Sequence, residues 1–535
     1  MTDLSRREFV GSLAAIGAAA AAVPASASAR DAASRRLYTP EQLELMATPL
    51  SIRLERAVAA RDPAPLAEIR AQMDLETLAI YDAYMQWVAT LQTFILARTD
   101  DDRHDEALRQ MSEHSFRDDV LGYRGLPLRA HVERLAERLR ASGSTFRVEE
   151  DAERVRFSLG PWAPVRQWLP ATAWQATQPR LRDGNRYFYP THGAYAAPTS
   201  HAILGRPRPT TQSRAGVPCF LATEVLFLEI LPIELLGYPI AVVSLPERPD
   251  ATAYLDVYKD ASRIPEQAYA RVGLSKPRRG LPAEIAAQAF TAEELERLGT
   301  PLSIQVEQAA AQGDWDRLRR ITQRMDHELV GAKDPLGLLI AGLLTWIARN
   351  LGEDAAEASL VRTAEVVMAP YVGAVRALNA KDAIAMWAMV WRSHGSTFSI
   401  EETDQTFVLR GRPLGACHRM WSSRYAPTVE RISGSRIRYP TFGAYQSPMC
   451  CHLMREPRGI TWGKTDYPIY STHCHMLHEI YPIDQLGHPL WVEYHPLDDP
   501  DGETVHVHYK NPADWPAEAY ERVGRRKPVS QHRRA

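Results

Sequence analysis

Thr48-Pro49-Leu50-Ser51-Ile52 occurs a second time as Thr300-Pro301-Leu302-Ser303-Ile304, and the match runs on from both ends. Thr39 to Glu76 aligns without gaps on Thr291 to Glu328 at an offset of 252, with 18 of 38 positions identical. A repeat of this length determines the architecture before any single element is considered. The pairing resumes at Gly143-Ser144-Thr145-Phe146 with Gly395-Ser396-Thr397-Phe398, at Tyr189-Pro190-Thr191 with Tyr439-Pro440-Thr441, and at Tyr258-Lys259 with Tyr509-Lys510. It ends at Lys276-Pro277 and Lys527-Pro528. The sequence therefore predicts two tandem homologous modules, residues 37–277 and 290–528, with 278–289 as linker and a pseudo-twofold relation between them.

Each module reads as helices first and strands afterwards. Leu43, Met46, Leu50, Leu54 and Val58 recur at helical spacing, as do Leu360, Val366, Val367, Val372 and Val375. Beyond Gly395 the pattern changes to alternation: Phe398 and Ile400, then Phe407 and Leu409, flank the polar Glu401-Glu402-Thr403-Asp404-Gln405 stretch, a β-hairpin signal. The remainder of the module is rich in Pro, Gly, Tyr and Trp. The expected class is α+β.

The repeat also acts as an internal control on chemistry. Of 17 histidines, eleven lie in the second module and a twelfth, His532, follows it; four of the five cysteines are also in the second module. Pro468 to Pro489 matches Pro218 to Pro239 at an offset of 250, and there Thr223, Glu224, Val225 and Leu228 become His473, Cys474, His475 and His478. A buried helix face has been exchanged for imidazoles and a thiol, at a cost of about 1 to 3 kcal/mol for each group left without a partner. A metal, other polar side chains or a wet pocket must satisfy them. On a helix Cys474 and His478 are four residues apart, as are His475 and Glu479. His/Cys sets suit zinc, copper or iron.

The metal ligands expected from this pattern are Cys474, His475 and His478, with Cys451 and His452 as further donors, because Cys450-Cys451-His452 replaces Ser200-His201-Ala202. His473 or Glu479 would shuttle a proton, and Arg419 would orient an acidic group. Glu479 has a counterpart in Glu229 and Arg419 one in Arg166, so structural roles stand beside these. Cys417-His418, His394 and His495 (opposite Leu245) are additional candidates. His506 and His508 alternate on a strand and read as exposed, although they could line the same cleft. Cys450 and Cys451 could instead form a vicinal disulfide, or either could pair with Cys474.

Lys+Arg 63 against Asp+Glu 65 gives a net charge of -2, which argues against nucleic acid or an anionic membrane as partner. Five cysteines are too few for a disulfide scaffold. No segment after the N-terminus reads as a membrane span; Leu336 to Ala348 is short enough for a buried helix. Ser5-Arg6-Arg7-Glu8-Phe9-Val10, the apolar run Gly11 to Val23 and the Ala-x-Ala sites near Ala29 resemble a twin-arginine export signal over residues 1–29. That resemblance implies the twin-arginine export machinery as partner, cleavage and a periplasmic mature protein.

Gly395 to Met420 and Tyr467 to Pro496 resemble the small α+β domain of L-2-amino-thiazoline-4-carboxylic acid hydrolase-like proteins, over about 80 residues of each module. The exported, doubled chain departs from that family. The resemblance implies hydrolysis of a small heterocyclic or amide-like compound, with Cys417 or Cys474 as functional thiol. Three readings are open: a metal-dependent hydrolase or lyase acting on a small organic substrate, a metal-free cysteine-nucleophile hydrolase, and a periplasmic metal or ligand carrier without turnover.

Overall fold

The structure, a computed structural model, describes residues 36–160, 162–168, 201–248, 250–282, 288–331, 333–369, 372, 375, 376, 378–411, 415–422, 428–446, 451–495 and 502–528. The export signal, Cys450 and Tyr189 to Thr191 lie outside the described residues. The chain is α+β, as its patterning predicts. It forms two compact units, one of residues 54–346 and one of residues 36–53 with 347–528. These units are not coextensive with the two sequence copies.

In the 54–346 unit, Leu66–Arg98 is a single helix of 33 residues whose Met85, Val88, Ala89, Leu91 and Ile95 are buried. The next helix, Asp101–Leu121, begins where the Asp100 side chain accepts from the Arg103 N–H at 2.9 Å, a cap that contributes about 1 kcal/mol. Leu128, Val132, Leu135 and Leu139 form the buried stripe of Leu128–Ala141. Four antiparallel strands come next: β1 (Phe146–Glu150), β2 (Arg154–Leu159), β3 (Val242–Ser244) and β4 (Ala253–Tyr258), in the order β1-β2-β4-β3. Val155, Phe157 and Leu159 face the core while Arg154, Arg156 and Ser158 are half-buried on the other face.

The 347–528 unit has the same sheet connectivity. Its strands β5 (Phe398–Glu402), β6 (Thr406–Gly411), β7 (Val492–Tyr494) and β8 (Thr504–Tyr509) are ordered β5-β6-β8-β7. The hairpin expected around Glu401 to Gln405 forms, with Ile400 opposite Leu409 and the Thr403 hydroxyl accepting from the Thr406 N–H at 2.9 Å.

Each sheet is completed by a leading helix from the other sequence copy. In the 54–346 unit, Glu150 accepts from the N–H groups of Ala289 and Phe290 at 2.7 and 2.9 Å and pairs with Lys259 at 2.6 Å. These contacts seat the helix Ala292–Gly299, where a Cβ at Gly299 would stand 2.7 Å from the Phe146 carbonyl oxygen. In the other unit, Glu402 accepts from Leu37 and Tyr38 at 2.5 and 3.0 Å, pairs with Lys510 at 2.6 Å, and seats the helix Pro40–Ala47. A buried carboxylate at the end of the first hairpin strand does the same work twice.

Trp315–Leu351 contains the one stretch among the described residues that is long and apolar enough to cross a membrane, and 94% of its apolar window is buried inside the protein. A core helix of a water-exposed protein has the same character.

Candidate metal centre

The helical segment after Tyr467-Pro468 has an identical frame in both units. Cys219–Val225 and Thr472–His475 each run into a π-helical turn, Leu226–Ile230 and Met476–Ile480, and stop at Gly237 and Gly487 with φ of 88° and 85°. Carbonyls in the wide turn are taken up by the next strand: Ile240 N–H donates to Leu228 O at 2.9 Å and Leu490 N–H to His478 O at 2.8 Å. Glu229 accepts from Val243 N–H at 2.7 Å and is bound by Arg271; Glu479 accepts from Glu493 N–H at 3.2 Å with Arg522 3.6 Å away. Glu479 is therefore a strap between turn and strand, as Glu229 is. Burial pushes its carboxyl up to about 8.

What differs is the interior. Cys417 enters it from the helix Gly415–Trp421, which Ser396 anchors by accepting from Gly415 N–H at 2.8 Å. Ser144 likewise accepts from Ala163 N–H at 3.1 Å, which makes Val165 the counterpart of Cys417. Gly415 has φ +73°, and a Cβ there would meet Trp391 at 2.9 Å. Only glycine serves at that position.

Cys417 Sγ lies 3.3 Å from Cys474 Sγ, His473 Nε2 is 3.8 Å from the first sulfur and 3.6 Å from the second, and neither cysteine is in a disulfide. His473 is fixed through Nδ1, which bonds the Tyr470 carbonyl. Donor atoms of Cys417, Cys474 and His495 fall within 4.8 Å of one another, and so do those of Cys474, His478 and Glu493. These are the groups among the described residues that could hold a metal ion.

Electrostatics in the set follow from proximity in a dry interior. The Cys417 thiol is held well below its usual range by the Cys474 hydrogen bond, supported by His473 and His495 against the effect of burial. Cys474 is pushed well up by burial and by the neighbouring Cys417. Burial would keep His473 neutral, but the charge on Cys417 outweighs it and raises the imidazole. His495 likewise resists burial and rises to about 10, because Glu493 lies 2.5 Å away. Glu493 is held well below the usual carboxylate range by His495 and His506, which outweigh its burial. Burial lowers His478 and His508 strongly.

The expected ligands divide on this geometry. Cys474 and His478 come together, and His473, expected to move a proton, is a third donor beside them. His475 turns away: its Nε2 pairs with the Tyr467 hydroxyl at 2.5 Å and its ring packs on Trp462. His452 pairs with Glu353 at 2.8 Å, and neither it nor Cys451, which is buried, belongs to a donor group among the described residues. Arg419 is buried, donating to Thr441 Oγ1 at 3.1 Å and His394 O at 2.9 Å over the Tyr439 ring. Those bonds tie three chain segments together.

His506 and His508 are buried, which corrects the expectation that they are exposed strand residues. They share one face of β8 because its alternation turns residues 504, 506 and 508 inward. Trp491 stacks on His506 at 5.4 Å and lies 4.0 Å from His478, while Trp391 meets His506 at 4.5 Å and Trp387 stacks on His508 at 5.9 Å. His418 bonds Thr504 at 3.0 Å, beside His495.

Glu493 and Trp491 were not among the expected site residues. The signal was present, because at the same offset of 250 they replace Val243 and Ala241. Cys417 was recognised as a candidate thiol but not as the principal partner of Cys474, since the two stand 57 residues apart in the chain. Comparison of the chain with protein-family models, with curated proteins and with solved structures finds no match.

Proposed function

We propose that the chain is an exported metal-dependent hydrolase or lyase acting on a small organic substrate, with the metal held by Cys417, Cys474, His473 and His495. One observation carries the reading. Zinc–sulfur bonds of about 2.3 Å and zinc–nitrogen bonds of about 2.0 Å in a tetrahedron separate two sulfurs by about 3.8 Å and a sulfur from a nitrogen by about 3.5 Å. The separations of 3.3, 3.6 and 3.8 Å among Cys417, Cys474 and His473 outline one face of such a figure. Copper and iron accept the same donors.

A metal on these four donors would act as a Lewis acid toward a substrate oxygen taken up as a fifth ligand. The residues around it have their own tasks. Glu493 holds His495 by its carboxylate and so fixes the ring that faces Cys417, the arrangement by which carboxylates orient metal-bound imidazoles. Trp387, Trp391 and Trp491 wall the centre, packed on His478, His506 and His508. The ring N–H groups of Trp391 and Trp491 have no hydrogen-bond partner among the described residues and would suit polar atoms of a substrate admitted there.

The matching sheets and π turns, with the sequence repeat, support descent of both halves from one duplicated module. In that history the first half became scaffold. The twin-arginine resemblance supports export to the periplasm with the ion inserted beforehand.

A second reading has its own observation in favour. Cys417, its thiol lowered, with the His473 ring 3.8 Å away, is the pairing that activates a thiolate nucleophile, and it accords with the hydrolase resemblance. Elemental analysis of the exported protein, run beside activity before and after chelation, separates the two. One or more tightly bound ions per chain, lost together with turnover, supports the metal enzyme. Metal-free protein with full turnover overturns it in favour of the thiol, and bound metal with no turnover on any small substrate supports a carrier.

A further inference from the structure

We infer that Cys474 is shared between two ions, making the centre dinuclear: one ion on Cys417, Cys474, His473 and His495, the other on Cys474, His478 and Glu493. This rests on the metal reading above and extends it to a second ion with its own ligands.

The argument begins with the sulfur. Two donor groups, each with its atoms within 4.8 Å of one another, have the Cys474 sulfur in common. A thiolate carries three lone pairs, and an ion on the Cys417 side uses one of them. His478 follows Cys474 by four residues across the π turn, and its ring lies on Trp491 at 4.0 Å rather than on Cys417. His478 Nδ1 is enclosed and has no hydrogen-bond partner among the described residues. Glu493 bridges the two sets: Oε1 touches His495 at 2.5 Å while Oε2 faces His506 at 3.3 Å.

A single ion leaves this second set unexplained. On the same backbone frame, Leu228 and Val243 fill the corresponding space with hydrocarbon and are buried. Glu493 Oε1 serves the first ion by orienting His495, but an imidazole at 478 and the remaining carboxylate oxygen, Oε2, do nothing for an ion held by Cys417, Cys474, His473 and His495. Thiolate, imidazole and carboxylate together are a suitable donor set for a borderline divalent cation such as zinc or cobalt. Ions sharing one sulfur would stand within the spacing of about 3.5 to 4 Å found in two-metal sites.

The test is titration of metal-stripped full-length exported protein with cobalt(II), following the thiolate-to-cobalt absorption band and the ion count after gel filtration. Two equivalents are expected, with the band growing through both and a weakened paramagnetic resonance signal at the second as the ions couple through sulfur. His478→Ala, which touches only the second set, should bind one equivalent with the band retained; His478→Gln serves if the alanine variant folds poorly by circular dichroism. Saturation at one equivalent in the parent chain, unchanged in His478→Ala, overturns the second ion and leaves the first. No binding in the parent chain overturns both. Two equivalents that persist in both His478 variants and in Glu493→Gln overturn the ligand assignment.

Discussion

Two interiors are built on one frame, one of hydrocarbon and one of imidazole, thiol and carboxylate. Val165, Val225, Leu228, Ala241, Val243, Leu245, Leu255 and Val257 fill one of them, and all are buried. Cys417, His475, His478, Trp491, Glu493, His495, His506 and His508 occupy the corresponding positions in the other. The π turn, its glycine stop and its carboxylate strap are the same in both. A π turn is often a mark of function, but here the scaffold interior has one too. The turn is architecture, and the chemistry lies in the side chains hung on it. Polar groups in such a place are costly unless satisfied, so the second interior is the one whose composition calls for a ligand.

The comparison breaks most visibly at its sulfurs. Exchange of Cys417 and Cys474 for serine is expected to lower bound metal at least tenfold, because a neutral hydroxyl replaces a thiolate in the set; elemental analysis of the purified variant checks it. Retention of the full complement would place the ion elsewhere.

A smaller effect tests the scaffold side with pH. His131 is buried, hydrogen-bonded to the Ile240 carbonyl at 2.8 Å, and lowered by burial to about 4. The unfolded chain takes up this proton near pH 6.5 and the folded chain does not, so stability is full above pH 6.5, falls from there to pH 4 and levels off below. The loss is on the order of 3 kcal/mol. Denaturant melts of His131→Gln against the parent should converge toward pH 4; parallel curves across that range would sink the assignment.

The straps should be equivalent. Glu229→Gln and Glu479→Gln are each expected to cost about 1 to 3 kcal/mol, with metal content untouched in both. Loss of metal in Glu479→Gln alone would restore that residue to the site. The gentlest change is His508→Leu, which removes a ring whose Nε2 has no hydrogen-bond partner among the described residues. It is expected to gain about 1 kcal/mol in urea while ion content stays constant. Turnover should fall if the Trp and His wall holds the substrate.

Much of this was legible in the chain. The α+β order and the hairpin before Phe407 followed from periodicity, since both elements bury one face at a fixed spacing. His478 was found because its counterpart, Leu228, is apolar, and Cys474 because it stands on the same exchanged helix face, opposite Glu224. Glu493 obeys the same rule and was missed only because a lone carboxylate in a strand does not look like a ligand. His475 misled in the opposite way, since replacement of a valine marks a change of interior without saying which way the ring turns. Cys451 and His452 share that limit: residue type alone does not say that His452 pairs with Glu353 and that neither joins a donor group among the described residues. What single positions could not give is the meeting of Cys417 with Cys474, which depends on two helices brought together by the sheet.

The carboxylates that seat the leading helices set an order of events. Tyr38 meets Glu402 across 364 residues of chain, whereas Phe290 meets Glu150 across 140. During synthesis the unit of residues 54–346 has all its parts once Trp346 has emerged, while the first helix waits for nearly the whole chain. The half with the Cys and His set is thus the last to close, and any ion destined for it has the length of translation in which to arrive.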